Sequence, residues 1–279
     1  MTVEGVREKK RSMGMPQNPC LLVALGLATI FIAALLSMSY TGVSPLCSPL
    51  LSYSSNSHPI QLSAILHYAT TSITPQQSFS EINLTYSVLL HRAPCNFLVF
   101  GLGHDSLMWA ALNPGGRTLF LEEDPKWLHS VLSSAPYLNA HAVQYETKLS
   151  QAENLINSHR SYPDCEMGET LLESKCPLAI KRFPREVYET EWDVIMVDAP
   201  RGYFDSAPGR MGAIYSVAVM ARRRRGAGTT DVFVHDVNRK VEKRYSEEFL
   251  CRKYLVEGTG RLWHFRIPPS NAMEGKPFC

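Results

Sequence analysis

Short apolar runs alternate along this chain with longer stretches whose apolar positions recur at helical spacing. The runs at 97–100, 118–121, 142–145, 192–198 and 230–234 have the length of strands buried in a sheet. Helical spacing is expected over 58–68, from a Thr74-Pro75 start to about 91, over 104–112, and from an Asp124 cap through Val131. It recurs over 148–158, 209–223 and 241–251. Two further runs, near 254–256 and 262–267, follow one another without a helix between them. Strands that alternate with helices and end in a strand pair predict an α/β fold: a doubly wound, mostly parallel sheet with helices on both faces and an antiparallel edge.

The amino end breaks this pattern. Residues 21–38 form an eighteen-residue run without a charge, about 27 Å of helix, which just spans a bilayer core. Four basic residues, Arg7, Lys9, Lys10 and Arg11, precede it against Glu4 and Glu8; a cleaved signal peptide would have a shorter apolar core. The expected organisation is therefore a cytosolic tail (1–20), one transmembrane anchor (21–40), a Ser/Pro-rich luminal stem (41–57) and a luminal domain (58–279).

Composition changes this picture little. The chain is 45% apolar and 19% charged, with a net charge of +2, so nucleic acid has no electrostatic footprint here. Six of the seven cysteines lie beyond the anchor and none forms a CxxC pair, which favours disulfides in an oxidising lumen over a zinc cluster. Cys165 and Cys176 bracket a polar loop, and a tie at Cys279 would stop fraying; fifteen pairings are open. Asn83-Leu84-Thr85 is a glycosylation sequon. Residues 159–190 are the least regular stretch and are expected to face substrate. The Arg222–225 run reads as a solvated helix end, and Trp109 and Trp127 as core.

In an open α/β sheet, ligands lie beyond the carboxyl ends of the strands. There the sequence places Gly101-Leu102-Gly103 with Asp105, then Glu122-Glu123-Asp124, then Asp198 with Arg201 and Tyr203, then His235-Asp236 with Asn238 and Arg239. Glycines at a strand-to-helix turn let backbone approach a ligand. An acid about twenty residues on can accept from ribose hydroxyls, a spacing that serves NAD, FAD or S-adenosylmethionine (SAM). The turn lacks the third glycine of the dinucleotide fingerprint, since Ser106 holds that position. Asp198 and Asp236 would be neighbours on adjacent strands, which requires a cation or an arginine between them. Either a divalent metal is held by Asp198, Asp236 and Asn238, or His235 or Asp198 acts as a base. Arg201, Arg210 and Arg239 suit a substrate carboxylate, and Tyr203 a sugar ring or the cofactor.

CNFLVFGLGHDSLMW, GGRTLFLEED, EWDVIMVDAPRGYF, APGRMGAIY, TTDVFVHDVNR and EEFLCRKYLVEGTGRLWHF together resemble the plant glucuronoxylan 4-O-methyltransferase family, which includes the arabinogalactan-directed enzymes. The resemblance covers about 65–265. It implies a Rossmann-like, SAM-dependent methyltransferase sheet on a Golgi-anchored, luminal, single-pass type II chain that methylates O4 of glucuronic acid on cell-wall polysaccharides. SAM would sit at Gly101, Gly103 and Glu122 or Glu123. Phe100 replaces the acid usual before the first glycine, so the SAM amino group would turn to Asp105 or Asp198. GLGHDS and LFLEED, from which a xylan-deposition branch of the family departs, stand intact and imply an active enzyme. The alternative is a non-catalytic Golgi protein that associates with the enzymes of xylan synthesis.

Overall fold

The computed structural model describes residues 58–166, 170–270 and 277–279, all within one unit of the chain. The cytosolic tail, anchor and stem expected over 1–57 lie outside the described residues. Among the latter, no helix is long and apolar enough to cross a membrane.

Seven strands form one sheet in the order β3-β2-β1-β4-β5-β7-β6. They are β1 (Asn96–Phe100), β2 (Arg117–Glu122), β3 (Asn139–Ala142), β4 (Val194–Val197), β5 (Thr230–Val234), β6 (Leu255–Thr259) and β7 (Leu262–Ile267). The first five are parallel, while β7 runs antiparallel to β5 and to β6. This is the Rossmann-like methyltransferase arrangement, with the antiparallel edge that two adjacent terminal runs required. β5 and β7 begin and end where the hydrophobic pattern put them; β3 lies three residues earlier, because 143–145 has already left the sheet.

Register, more than strand order, builds the site. Phe100 pairs with Leu121 on one side and Val197 on the other, and Val197 pairs with Val234. β1, β4 and β5 therefore end flush, β2 runs one residue further to Glu122, and Gly101, Glu122, Asp198 and His235 stand in a row along one sheet edge. The chain order reverses between β1 and β4, the switch point where a parallel sheet opens a crevice.

Alternate strand residues feed two cores. Leu98, Phe100, Leu121, Ile195, Val197 and Val234 pack under helix α7 (Met211–Arg222), which is buried almost all round. Phe97, Val99, Phe120, Met196 and Phe233 face α2 (Phe79–Arg92), α3 (Ser106–Ala111) and α4 (Pro125–Ser134). Before them, α1 (His58–Thr70) sends the Tyr68 hydroxyl to the His104 carbonyl at 2.6 Å, bracing the turn after β1. Two short helices, α5 (Ala152–Ser158) and α6 (Arg185–Glu189), precede α7, and α8 (Lys240–Tyr245) follows β5 and runs on as a wider π-turn to Cys251.

Several expectations are corrected. Helix α2 starts at Phe79, not at Thr74-Pro75: Ser78 caps it in a reciprocal capping box with Glu81, and 71–78 is extended or bent. The 159–190 segment, expected to face substrate, supplies core instead of cleft wall. Its Leu171, Leu178, Ile180 and Phe183 pack beneath α7, tied by a Cys165–Cys176 disulfide, and none of its described residues lines the cleft described below. Cys251–Cys279 is the second disulfide; Cys95 is buried and unpaired, its thiol pushed up to about 12 by burial. Nor is Arg222 a solvated helix end. It is 3% exposed, donates to the Ala218 and Phe278 carbonyls and lies over the Phe278 ring, and burial lowers its pKa to about 10. Arg224 is likewise drawn in, onto Asp193 at 2.8 Å.

Candidate active site

A cleft of about 440 Å³ opens over the flush strand ends. Of the residues expected there, Gly101, Gly103, Asp105, Glu122, Glu123, Asp198, Arg201, Tyr203, Arg210, Asp236 and Arg239 all line it. His235 does not, being 2% exposed behind Asp198. Asn238 is exposed and outside the lining. Trp127, expected in the core, is half-buried in the cleft wall, where its indole N–H donates to the Leu102 carbonyl at 2.6 Å.

The cofactor-side half is built on the turn after β1. Gly101 has φ +122°, and a Cβ there would meet Ala199 at 3.3 Å, so the turn is tight against the chain after β4 as well as left-handed. Glu122 holds this turn from the side: it accepts from the Leu102 N–H at 3.1 Å and the Asp124 N–H at 2.9 Å, and burial raises its pKa. Its carboxyl is therefore occupied by backbone, which leaves Glu123 as the acid of this pair nearer to solvent. Glu123 is itself paired with Arg201 at 3.0 Å. Asp105 precedes α3 and accepts from the Trp109 indole at 2.8 Å; burial, and then the neighbouring Asp198 charge, push its pKa up.

The opposite half is a network of carboxylates and guanidiniums. Arg210, at the start of α7, is 4% exposed and lies between Asp198 (3.3 Å) and Asp236 (2.9 Å). It also donates to the backbone carbonyls of Asp198, Pro200 and His235. That is the cation that two adjacent carboxylates need between them. Asp198 receives three side-chain donors: His235 Nδ1–H at 2.8 Å and Arg210 on Oδ1, and the Gln77 amide at 3.0 Å on Oδ2. Burial alone would raise the Asp198 pKa, but His235 and Arg210 outweigh it and the pKa is lowered. Since a carboxylate offers about four lone-pair sites, one on Oδ2 stays open toward the cleft.

Asp236 is more enclosed. Arg210 and Arg239 (3.0 Å) approach its Oδ2 and Arg261 (2.9 Å) its Oδ1, while its backbone sits at φ +61°. Asp198, His235 and Asp236 gather donor atoms within 4.8 Å, the geometry of a cation site. As arranged they do not fit a resident divalent ion, because guanidiniums occupy the oxygens of Asp236 and the shared oxygen of Asp198. An ion bridging the two carboxylates would have to displace Arg210.

Sequence reasoning missed the contribution of α2. Gln77 and Glu81 flank its first turn: Gln77 grips Asp198, and Glu81 Oε1 lies 3.7 Å from His235 Nε2, which has no hydrogen-bond partner. Glu81 is 2% exposed, and the Ser78 and Arg261 backbone N–H groups outweigh burial to lower its pKa. The available signal was the S-x-x-E capping box of Ser78 and Glu81, which fixes the helix start and hence which side chains meet the strand ends.

The IRX15/IRX15L/GXM family model matches residues 80–265. Arabinogalactan O-methyltransferase 2 of Arabidopsis thaliana is 58% identical over 227 residues, covering 79% of this chain and 78% of that one. Glucuronoxylan 4-O-methyltransferase 2 of the same plant is 54% identical over 222 residues (79% and 76%). Protein IRREGULAR XYLEM 15, also from Arabidopsis, is 40% identical over 253 residues (88% and 78%). With a model match over residues 80–265 and such identity over about three quarters of these relatives' length, the chain belongs to the IRX15/IRX15L/GXM family.

Proposed function

We propose that the chain is a SAM-dependent O-methyltransferase acting on O4 of glucuronic acid residues of a cell-wall polysaccharide, arabinogalactan or glucuronoxylan. The observation that carries this reading is the single open lone pair of Asp198. It lies in the cleft between the Gly101 turn and the arginine-lined wall, in a chain more than half identical to enzymes named for these two acceptors.

SAM fits the cofactor half: a turn where a Cβ at Gly101 would crowd Ala199, with Glu123, Asp105 and the Trp127 ring around it. When bound there it supplies an electrophilic methyl group. Glu123 is suited to the ribose hydroxyls, Asp105 to the amino group, and Glu122 keeps the turn in shape. On the acceptor side, Asp198 Oδ2 takes the hydroxyl proton. Its pKa is lowered, so near neutral pH it is an ionised but weak base, unable to strip a sugar hydroxyl in advance. The proton therefore moves late, as the new C–O bond forms, and most of the acceleration comes from holding the reactants in line. His235 acts behind Asp198, fixing its rotamer, and is not itself the base. Arg239 and Arg201 border the cleft, half-exposed, and are the groups placed to meet a uronate carboxylate; buried Arg210 is fully engaged within the network. Tyr203, 67% exposed at the rim, offers a face to a pyranose ring.

A Golgi-luminal, type II placement goes with this function; two disulfides among the described residues and the apolar 21–38 run support it. The test is transfer of labelled methyl from SAM by the full-length, detergent-solubilised chain to de-methylated arabinogalactan and glucuronoxylan, with a neutral xylan as control. Label on 4-O-methylglucuronic acid is the expected result. Transfer to the neutral xylan alone would remove the uronate assignment. Absence of SAM binding would return the non-catalytic reading, in which the chain holds polysaccharide-synthesis enzymes together.

A further inference from the structure

The sequon at Asn83 straddles α2 in an informative way. Asn83 is exposed on the outer side of the helix, while Thr85, two residues on, is fully buried on the inner side with Glu81 and Leu89. The Thr85 hydroxyl has no hydrogen-bond partner there. Burying an unpaired hydroxyl is unfavourable, and valine has the same shape without it, so packing gives no reason for threonine at this position. On the same outer face two large apolar side chains stand exposed: Phe79, one turn before Asn83, is 83% exposed, and Leu90, two turns after, is 60% exposed. At 100° per residue, 79, 83 and 90 fall on one stripe.

We infer that Asn83 carries an N-linked glycan, attached before α2 packs, whose first sugars lie over Phe79 and Leu90. The Thr85 hydroxyl is needed by the glycosylating enzyme while the segment is unfolded and is sealed inside afterwards. In the transfer, Asn83 Nδ2 bonds to the anomeric carbon of an oligosaccharide carried on a lipid diphosphate. The bond from that carbon to phosphate oxygen breaks, the lipid diphosphate leaves with the electron pair, and the amide proton passes to a base of the transferase. The inference rests on the luminal placement proposed above, and the test separates the two.

The full-length chain, extended at its carboxyl end by a tag bearing one sequon, is expressed in plant cells and treated with a peptide N-glycosidase that accepts plant glycans. Asn83 heads the one N-x-S/T sequon of the native sequence, so two removable glycans are expected, one on Asn83 and one on the tag. Asn83→Gln and Thr85→Val should each lose one glycan and Thr85→Ser should keep both, while all three retain methyl transfer within about twofold. Thr85→Val should be at least as heat-stable as Asn83→Gln. A glycan on the tag with none on Asn83 overturns the inference and leaves the placement standing. Glycans on neither site overturn both.

Discussion

Among the described residues, two Asp–His–Arg clusters lie at opposite ends of β5, made of the same ingredients for different ends. At the amino end, Asp231 is fully buried. His264 (2.7 Å) and Arg266 (3.0 Å) donate to one oxygen, and the Arg92 guanidinium grips the other through two nitrogens. All four lone-pair sites are filled. At the carboxyl end, Asp198 has its histidine and its arginine too, but the fourth site faces the cleft. A saturated carboxylate joins β5, β7 and α2; an unsaturated one can accept a proton from outside. One missing donor separates a structural cluster from a chemical one.

The sharpest way to break this comparison is to neutralise each carboxylate in turn. Asp198→Asn should lower kcat by about 10²–10⁴-fold and cost less stability than Asp231→Asn, because Arg210 keeps Asp236 as a partner. Asp231→Asn should do the reverse, costing about 3–5 kcal/mol of stability by urea unfolding and leaving the kcat of the folded fraction intact. A large loss of kcat in folded Asp231→Asn would show that the two clusters are coupled through the strand.

Acid titration comes next in size. Burial would raise the Asp231 carboxyl, but His264, Arg92 and Arg266 outweigh it, and it is lowered as Asp198 is. A carboxyl depressed by folding stabilises fully above its unfolded value, about 3.9, and that contribution is lost as pH falls through the folded value. The wild-type Tm should therefore fall steeply below about pH 4, and Asp231→Asn should flatten that fall more than Asp198→Asn does.

Much of this was legible in the sequence, and the remainder fails for identifiable reasons. Continuous apolar runs located β5 and β7 to the residue, and Asp124 announced α4, whose first N–H groups its side chain indeed accepts. The need for a cation between Asp198 and Asp236 was also readable; that Arg210 supplies it was not, because helix starts carry arginines for many reasons. Thr74-Pro75 misled because a good local start signal stands four residues before a better one. Residues 159–190 lack periodicity yet supply core, since irregular backbone can bury Leu178 and Ile180 as well as a helix can. Gln77, Glu81 and Arg261 reach the site from segments distant in sequence, and only register and packing bring them there.

A smaller effect probes the cleft wall. Arg239→Ala removes a half-exposed guanidinium that shares Asp236 with Arg210 and Arg261. It should raise KM for the uronate acceptor about tenfold, the scale of one charge-assisted hydrogen bond, with SAM affinity unchanged by titration calorimetry. The smallest expected change is from a chelator, which should leave the rate as it was. A loss restored by added metal would mean that Arg210 yields its place to an ion in the working enzyme.

The shared register that aligns the ends of β1, β2, β4 and β5 also bears on how this gene can vary. Substitutions within those strands exchange one apolar side chain for another and leave the row at their ends in place. Adding or deleting a single codon is a different event. It shifts an end group by about 3.3 Å along the strand and sends alternate side chains to the wrong core. Length changes should therefore be tolerated at surface turns such as the one around Gly228, where a Cβ would meet nothing, and purged from these four strands.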